Sequence, residues 1–158
     1  HPITGLPFSA LAEEQLSVLL KAKSPWVMLA VQLDGLEAFS DVYGFVARDD
    51  VLRAVALLIQ RTAVEIGGKE SFVGQLDDVG FYLVTTLEHA RRVQDQLTTR
   101  LREALVFFYP RADWESGHSK GGGPLPHLSI QLGSIVGPAS YGTLKDLQKS
   151  LKDVLVPL

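Results

Sequence analysis

Residues 72–86, FVGQLDDVGFYLVTT, decide the fold of this chain. They contain two runs rich in apolar and β-branched residues, 72–76 and 79–86, with Asp77 and Asp78 between them. Two such runs separated by two polar residues predict a tight β-hairpin. Aspartate is common in turns because it tolerates unusual backbone angles, but paired carboxylates are also typical ligands of divalent cations. The stretch therefore predicts a hairpin whose tip is either a turn or a metal site.

The segments before the hairpin alternate between helical and extended patterns. A helix is predicted over 10–22, with Ser9 as its N-cap. Residues 26–34, WVMLAVQLD, predict a buried strand whose side chains point alternately to two faces. A second helix, apolar on nearly all sides and therefore central, is predicted over 51–65, with the acidic pair 49–50 at the positive end of its dipole.

The segments after the hairpin continue this alternation. The spacing of apolar residues predicts a helix over 87–106 and another over 144–155, the latter capped by Thr143. A strand is predicted over 127–136, whereas glycines and prolines predict a loop without regular structure over 109–126. Crossover helices combined with one hairpin predict an α/β (α+β) domain with a mixed sheet flanked by helices.

Composition restricts the possible functions. The 158 residues, 46% hydrophobic and 21% charged, suffice for one ordinary core, so a single domain over 1–158 is expected. A net charge of −3 provides no broad cationic surface, and nucleic acid is not an expected partner. The absence of cysteine excludes thiolate zinc sites and cysteine nucleophiles. With no apolar run long enough to span a bilayer and no signal peptide, the chain is expected to be cytoplasmic, or a soluble piece of something larger.

Several motifs, in order along the chain, resemble the GGDEF diguanylate cyclase family: ITGLP, QLDGLEAFSDVYGF, ARDDVLRAVALLI, FVGQLDDVGFYLV and LSIQLGSIV. The resemblance covers nearly the whole chain. It implies a palm-like nucleotide-cyclase fold with a central five-stranded sheet. It also implies a site in which two domains each hold one GTP, with Mg²⁺, and condense the pair to cyclic di-GMP.

The residues that the resemblance places in this site are altered. The signature Gly-Gly-Asp-Glu-Phe corresponds to Asp77, Asp78, Val79, Gly80 and Phe81, so that side chains replace the glycines, and a valine and a glycine replace the two acids. Side chains at glycine positions obstruct close approach of a nucleotide to the backbone, and two-metal chemistry loses both ligand and charge when a carboxylate becomes valine.

The nucleotide and metal positions outside the signature are partly altered as well. At the end of the 26–34 strand the sequence is Gln32, Leu33, Asp34, with an uncharged amide where active relatives have aspartate. Ser40 stands at the position of a nucleotide-contacting asparagine, and Asp49 keeps the position of a guanine-contacting aspartate. These ten residues are therefore interpreted as a vestigial site with no catalytic residue and no metal.

Alternatives to this interpretation stay open. Asp77 and Asp78 could be the acidic pair in a shifted register, which needs two extra residues before Phe81 and puts Gln75 and Leu76 where glycines belong. Asp34, Asp41 and Asp49 could form an acidic rim, although solvated strand and helix ends also account for Asp34 and Asp41. The inhibitory Arg-x-x-Asp motif of the family corresponds to GKES at 68–71 and is absent. No histidines are paired at metal-ligand spacing, and GHSKGGGP at 117–124 lacks the Gly-Lys-Ser/Thr of a phosphate loop.

Three functions follow as hypotheses. The first is an inactive GGDEF-type domain in bacterial cyclic di-GMP signalling that binds a signalling protein or a second copy, with weak or no GTP binding and no cofactor. The second is a diguanylate cyclase with rearranged carboxylates that uses Mg²⁺ and GTP. The third is a sensor that binds GTP or cyclic di-GMP without turnover. Protein contacts are expected on the helical faces or on the 109–126 loop, where Tyr109, Trp114 and Lys120 suit an interface.

Overall fold

The computed structural model describes residues 1–138 and 141–158. Five helices and five strands follow one another in this described part of the chain. Their bounds are, in chain order, α1 Ala10–Leu20, β1 Trp26–Asp34, α2 Leu36–Ile66, β2 Phe72–Gln75, β3 Gly80–Thr85, α3 Leu87–Phe107, α4 Arg111–Ser116, β4 Ser129–Gly137, α5 Leu144–Asp153 and β5 Val156–Pro157.

The five strands form one sheet in the order β2-β3-β1-β4-β5. The crossover through α2 places β2 parallel to β1, but β3 lies between them, so every hydrogen-bonded pair is antiparallel. The five-stranded sheet with flanking helices is thus confirmed. The expectation of mixed pairing within it is corrected, because the hairpin partner β3 occupies the place beside β1.

Two apolar cores lie on opposite faces of the sheet. Alternate residues of β1, from Val27 to Leu33, pack with α2 and α3, and the intervening residues Trp26, Met28 and Ala30 pack with α1 and α5. This is the alternation that the sequence predicts for a strand buried on both faces. The result is a three-layer domain in which β1 is central.

The first two helices differ in detail from their predictions. Ser9 stands at the start of α1 with φ 54° and makes no side-chain capping bond, and its carbonyl accepts from Glu13 N at 2.9 Å. Helix α2 begins at Leu36, and its non-helical residue Gly44, with φ 89° and ψ 174°, divides it into a first half over 36–43 and a second half over 45–66 that starts before the predicted residue 51. Residues 49–50 therefore lie within the helix. The earlier start follows from burial, because Leu36 and Phe39 pack into the core. The central position of the second half is confirmed by its buried face, Val51, Leu52, Val55, Ala56, Ile59, Thr62 and Ala63.

The later segments are predicted well, with two exceptions. Helix α3 and strand β4 are confirmed, and Thr143 caps α5 by accepting from Asp146 N at 3.1 Å. The 109–126 loop contains the short helix α4, which starts after Pro110 and ends at Gly117, so the expectation of no regular structure was wrong. The last helix ends at Asp153, and β5 follows it to pair with β4. A strand of two residues has too short a pattern to be predicted from the sequence.

Candidate functional site

The tip of the β2–β3 hairpin is a turn built around the carboxylate of Asp77. Asp77 Oδ1 accepts a hydrogen bond from Val79 N at 3.0 Å, and Gln75 Nε2 donates to Asp77 O at 3.1 Å. The turn closes through Leu76 N, which donates to Gly80 O at 2.8 Å. The connection thus runs over residues 76–79 and is longer than the two residues predicted. Aspartate often stabilises a turn in this way, by bonding to the backbone two residues on.

The turn lies beside the carboxyl end of β1, as the resemblance implies. Leu33 N donates to Val79 O at 2.9 Å, and Gln32 is paired in register with Gly80. Gln32 Nε2 lies 3.1 Å from Asp34 Oδ1, so the amide is engaged with its neighbour on the same strand. The remaining predicted positions at this end, Leu33 and Phe81, are core residues with exposures of 1% and 0%.

A cleft of about 550 Å³ opens next to this turn. It brings together Ser40, Asp78 and Val79 of the predicted site residues, whereas Gln32, Asp34, Asp49 and Asp77 are outside its lining. The lining is completed by the amino-terminal turn, by α2 before Gly44 and by three residues of α2 after it: His1, Pro2, Ile3, Leu36, Glu37, Asp41, Phe45, Arg48 and Leu52. The cleft is therefore formed by three separate segments of the chain.

The charge of the cleft differs from the sequence-based expectation. Of the three aspartates that could form an acidic rim, Asp41 lines the cleft, whereas Asp34 and Asp49 do not. The carboxylates that line the cleft are those of Glu37, Asp41 and Asp78, and they are accompanied by one guanidinium, that of Arg48. The cleft still has more carboxylates than guanidinium groups. Which carboxylates line it depends on which face of α2 is turned towards the cleft.

Arg48 is one of the cleft residues that sequence reasoning missed, and it carries the guanidinium of the lining. Its Nε and one terminal nitrogen lie 3.3 and 3.2 Å from Asp49 Oδ1, and its guanidinium carbon lies 5.0 Å from the centre of the Phe45 ring. The signal that could have identified it is its three-residue spacing from Phe45, which puts both side chains on one helix face. Asp49 is thus held by the neighbouring arginine.

The amino-terminal turn forms one wall of the cleft. His1 Nε2 lies 2.9 Å from Asp78 Oδ1, and Ile3 N donates to His1 Nδ1 at 3.2 Å. Because Nδ1 accepts a hydrogen bond, the ring proton belongs on Nε2, which donates to Asp78. The turn is also held to the hairpin by Thr4, whose hydroxyl bonds to Gln75 Oε1, and by Pro7 O, which accepts from Gln75 N at 2.8 Å.

Helix α4 is held against the first half of α2 by a buried polar contact. Tyr43 Oη donates to Asp113 Oδ2 at 2.6 Å, and Asp113 is only 7% exposed. Burial and the nearby Asp113 carboxylate raise the pKa of Tyr43 to about 12. The ring of Tyr109 packs between Phe39 and Trp114, at centroid distances of 5.7 and 5.3 Å. This contact fixes the helix segment that carries Glu37, Ser40 and Asp41.

The donor set at the hairpin does not fit a Mg²⁺ site. Asp77 Oδ1 is bonded to the turn, Gln32 offers only an uncharged amide oxygen, and Val79 and Gly80 have no ligand atoms in their side chains. Over residues 1–138 and 141–158, no three histidine, cysteine, aspartate or glutamate side chains come together in a way that could hold a metal ion. Hard cations need several oxygen ligands, and this arrangement does not supply them.

Solved structures with this architecture are GGDEF domains. The GGDEF domain of PA1120 (TpbB or YfiN) from Pseudomonas aeruginosa has a TM-score of 0.67 at 20% identity, covering 96% of this chain and 83% of that one. The diguanylate cyclase SiaD of the same organism, in complex with its activator SiaC, has a TM-score of 0.66 at 17% identity and coverages of 97% and 54%. The S helix-GGDEF-EAL structure of Vibrio cholerae LapD, bound to c-di-GMP, has a TM-score of 0.68 at 15% identity. The match covers 96% of this chain and 32% of the LapD chain.

The five-stranded antiparallel sheet with helices on both faces defines the chain as an α+β domain. Within that class it has the fold of GGDEF domains, which confirms the fold that the sequence resemblance implies. The chain spans about half of the SiaD chain and about a third of the LapD chain. No protein-family model matches the sequence, and no curated protein is significantly similar to it. No described helix is long and apolar enough to cross a bilayer.

Proposed function

We propose that this chain is a non-catalytic GGDEF-type domain that takes part in cyclic di-GMP signalling in the cytoplasm by binding a partner protein or a second copy of itself. The hairpin turn is the observation that carries the proposal. Its first carboxylate, that of Asp77, is used to hold Val79 N, and the positions of the two signature acids are Val79 and Gly80. Without ligands at these positions the two-metal activation of a 3′-hydroxyl has no support from this chain.

Two further observations support a binding role. The cleft beside the hairpin turn is lined by three carboxylates and one arginine, which disfavours a triphosphate. One of the structurally similar proteins, SiaD, is in complex with a protein activator, SiaC, so that a domain of this fold is part of a protein complex. Neither Mg²⁺ nor GTP is part of the proposed function.

A second candidate function is a diguanylate cyclase with a shifted register. The observation in its favour is that Asp78 has a side chain 82% exposed and shares the cleft with Asp41. In that case Asp78 would serve the reaction and Asp77 would remain the turn residue. A sensor that binds GTP or cyclic di-GMP without turnover is the third candidate, and it has no feature in the cleft that favours it.

Incubation of the purified chain with GTP and Mg²⁺ or Mn²⁺, followed by mass spectrometry, tests the proposal. We expect no cyclic di-GMP above the level of a protein-free control. An active GGDEF domain assayed in parallel shows that the conditions permit the reaction. Product that forms with the wild-type chain and is lost in Asp78→Ala would replace the proposal with the shifted-register cyclase.

A further inference from the structure

The cleft combines an apolar floor with a rim of carboxylates. Four apolar side chains of the lining come from the amino-terminal turn, from α2 and from the hairpin turn: Ile3, Leu36, Leu52 and Val79. Glu37 and Asp41 stand one turn apart on α2, and Asp78 comes from the hairpin turn. Glu37, Asp41 and Asp78 are all exposed residues. A ligand that fits this lining needs apolar surface next to positive charge.

The same cleft carries an exposed aromatic ring. Phe45 is 70% exposed, although it lies beside the cleft floor, and the guanidinium of Arg48 is positioned over its ring at 5.0 Å. This geometry is that of a cation–π contact, which a guanidinium from another chain can also make on an exposed aromatic ring. The charge of Arg48 is offset by Asp49, 3.2 Å away, so it opposes an incoming cation only weakly.

We infer that this cleft docks a segment of a partner protein rich in arginine and lysine, a conclusion that rests on the proposed non-catalytic function. Arginine and lysine combine an aliphatic stem with a cationic head, so the stems cover the apolar floor while the heads reach Glu37, Asp41 and Asp78. Phe45 provides an edge on which a guanidinium or an apolar neighbour packs. The occupant is assigned by charge complementarity between this rim and a cationic peptide.

Fluorescence anisotropy with a short labelled peptide of alternating arginine and leucine tests the inference. We expect saturable binding, and we expect no binding of the matched peptide in which glutamate replaces arginine. The triple variant Glu37→Gln, Asp41→Asn, Asp78→Asn should bind the arginine peptide about tenfold more weakly, since each exposed charge pair contributes a modest amount. Phe45→Ala should weaken binding about fivefold.

One variant is expected to act in the opposite direction. Arg48→Ala removes the guanidinium from the lining, uncovers the Phe45 ring and leaves Asp49 without its neighbour. Binding of the arginine peptide should then become about threefold tighter. If Arg48 competes with the peptide for Phe45, its removal should strengthen binding. Weaker binding in Arg48→Ala would therefore contradict the inference.

A matched control separates the cleft from the overall charge of the protein. The triple variant Asp95→Asn, Glu103→Gln, Asp153→Asn changes the same number of charges at exposed positions outside the cleft. If it weakens binding as much as the cleft triple, the inference is wrong. Circular dichroism and thermal melts establish that each variant is folded, and the single change Asp78→Asn, at a side chain 82% exposed, gives a test that does not depend on the triple variant.

Three outcomes distinguish the possible failures. Spermidine that displaces the peptide at equal concentration would contradict a peptide partner and assign the cleft to a polyamine. Peptide binding together with cyclic di-GMP formation refutes only the non-catalytic function. Absence of both peptide binding and product refutes only the docking site.

Discussion

Asp77 and Val79 are joined within the hairpin turn by a hydrogen bond of 3.0 Å from the backbone nitrogen of Val79 to Asp77 Oδ1. A Cβ atom at Gly80 would lie 3.0 Å from the same Oδ1, so the carboxylate also fills the space next to this glycine. The neighbouring Asp78 points instead to the cleft, where it meets His1. Two adjacent aspartates therefore have different roles, one inside the turn and one on the cleft.

The different roles predict different costs of substitution. Asp77→Ala should lower the free energy of unfolding by about 1 kcal/mol, because it removes a hydrogen bond that orders the turn. Asp78→Ala should lower it by less, because the Asp78 side chain is 82% exposed, although the change leaves His1 Nε2, on a side chain only 3% exposed, without this partner. Urea denaturation of both variants measures the difference. Equal losses, or a larger loss for Asp78→Ala, would show that the Asp77 bond does not stabilise the turn.

Nucleotide binding should be weak. A triphosphate placed in the cleft would meet the carboxylates of Glu37, Asp41 and Asp78, and like charges a few ångströms apart cost on the order of a few kcal/mol at intermediate dielectric. We expect isothermal titration with GTP and Mg²⁺ to give a Kd above roughly 1 mM. Micromolar binding that survives Asp49→Ala but disappears when Asp77 and Asp78 are changed would contradict this prediction, because those aspartates would then be metal ligands.

The connection from β1 to α2 depends on a glycine. Gly35 has φ +90°, and a Cβ atom there would lie 2.0 Å from His127 O. Gly35→Ala should therefore destabilise the chain by about 3 kcal/mol or more, from backbone strain and a backbone clash together. Gly117→Ala is the matched control, with φ +74° and no atom within 4 Å of the added Cβ. It should cost about 1 kcal/mol. Similar melting temperatures for the two variants would argue against the close approach at His127.

The Tyr43 contact with Asp113 should stabilise the position of α4 on α2. Tyr43→Phe removes the donor and leaves a carboxylate that is 7% exposed without this partner, so a loss of about 1–3 kcal/mol is expected. Asp113→Ala in the Tyr43→Phe background should cost less than in the wild type, because the two groups act as a pair. Additive effects in chemical denaturation would show that the contact contributes little.

Tyrosine ionisation should make the fold sensitive to alkali. Burial holds the pKa of Tyr82 at about 12, and burial together with Asp113 holds that of Tyr43 at about 12, both above the usual value of 10.0. The unfolded chain loses these protons first, so stability is retained below about pH 10 and falls as the pH rises towards 12. Absorbance of tyrosinate and denaturation at several pH values test this. In Tyr43→Phe the fall should be smaller, and an unchanged fall would exclude Tyr43 as its source.

The sequence determined most of the architecture, because long strands and helices leave a regular apolar pattern. A strand buries every second side chain, and a helix buries every third or fourth. The 26–34 strand, α3 and the hairpin have bounds close to those predicted, and five motifs in order indicated the fold. Within the candidate site, the sequence placed Ser40, Asp78 and Val79 near the hairpin, and these residues do line the cleft.

Only the tertiary structure decided which polar groups meet. Glu37 enters the cleft because α2 begins at Leu36, and that early start depends on the burial of Leu36 and Phe39 against residues distant in sequence. Phe45 and Arg48 reach the cleft from the half of α2 that follows Gly44. Helix α4 and strand β5 are both short, and they depend on contacts with Tyr43 and with β4, respectively. Local pattern fixes which face of an element is apolar, but contacts between elements fix where the few remaining polar side chains come together.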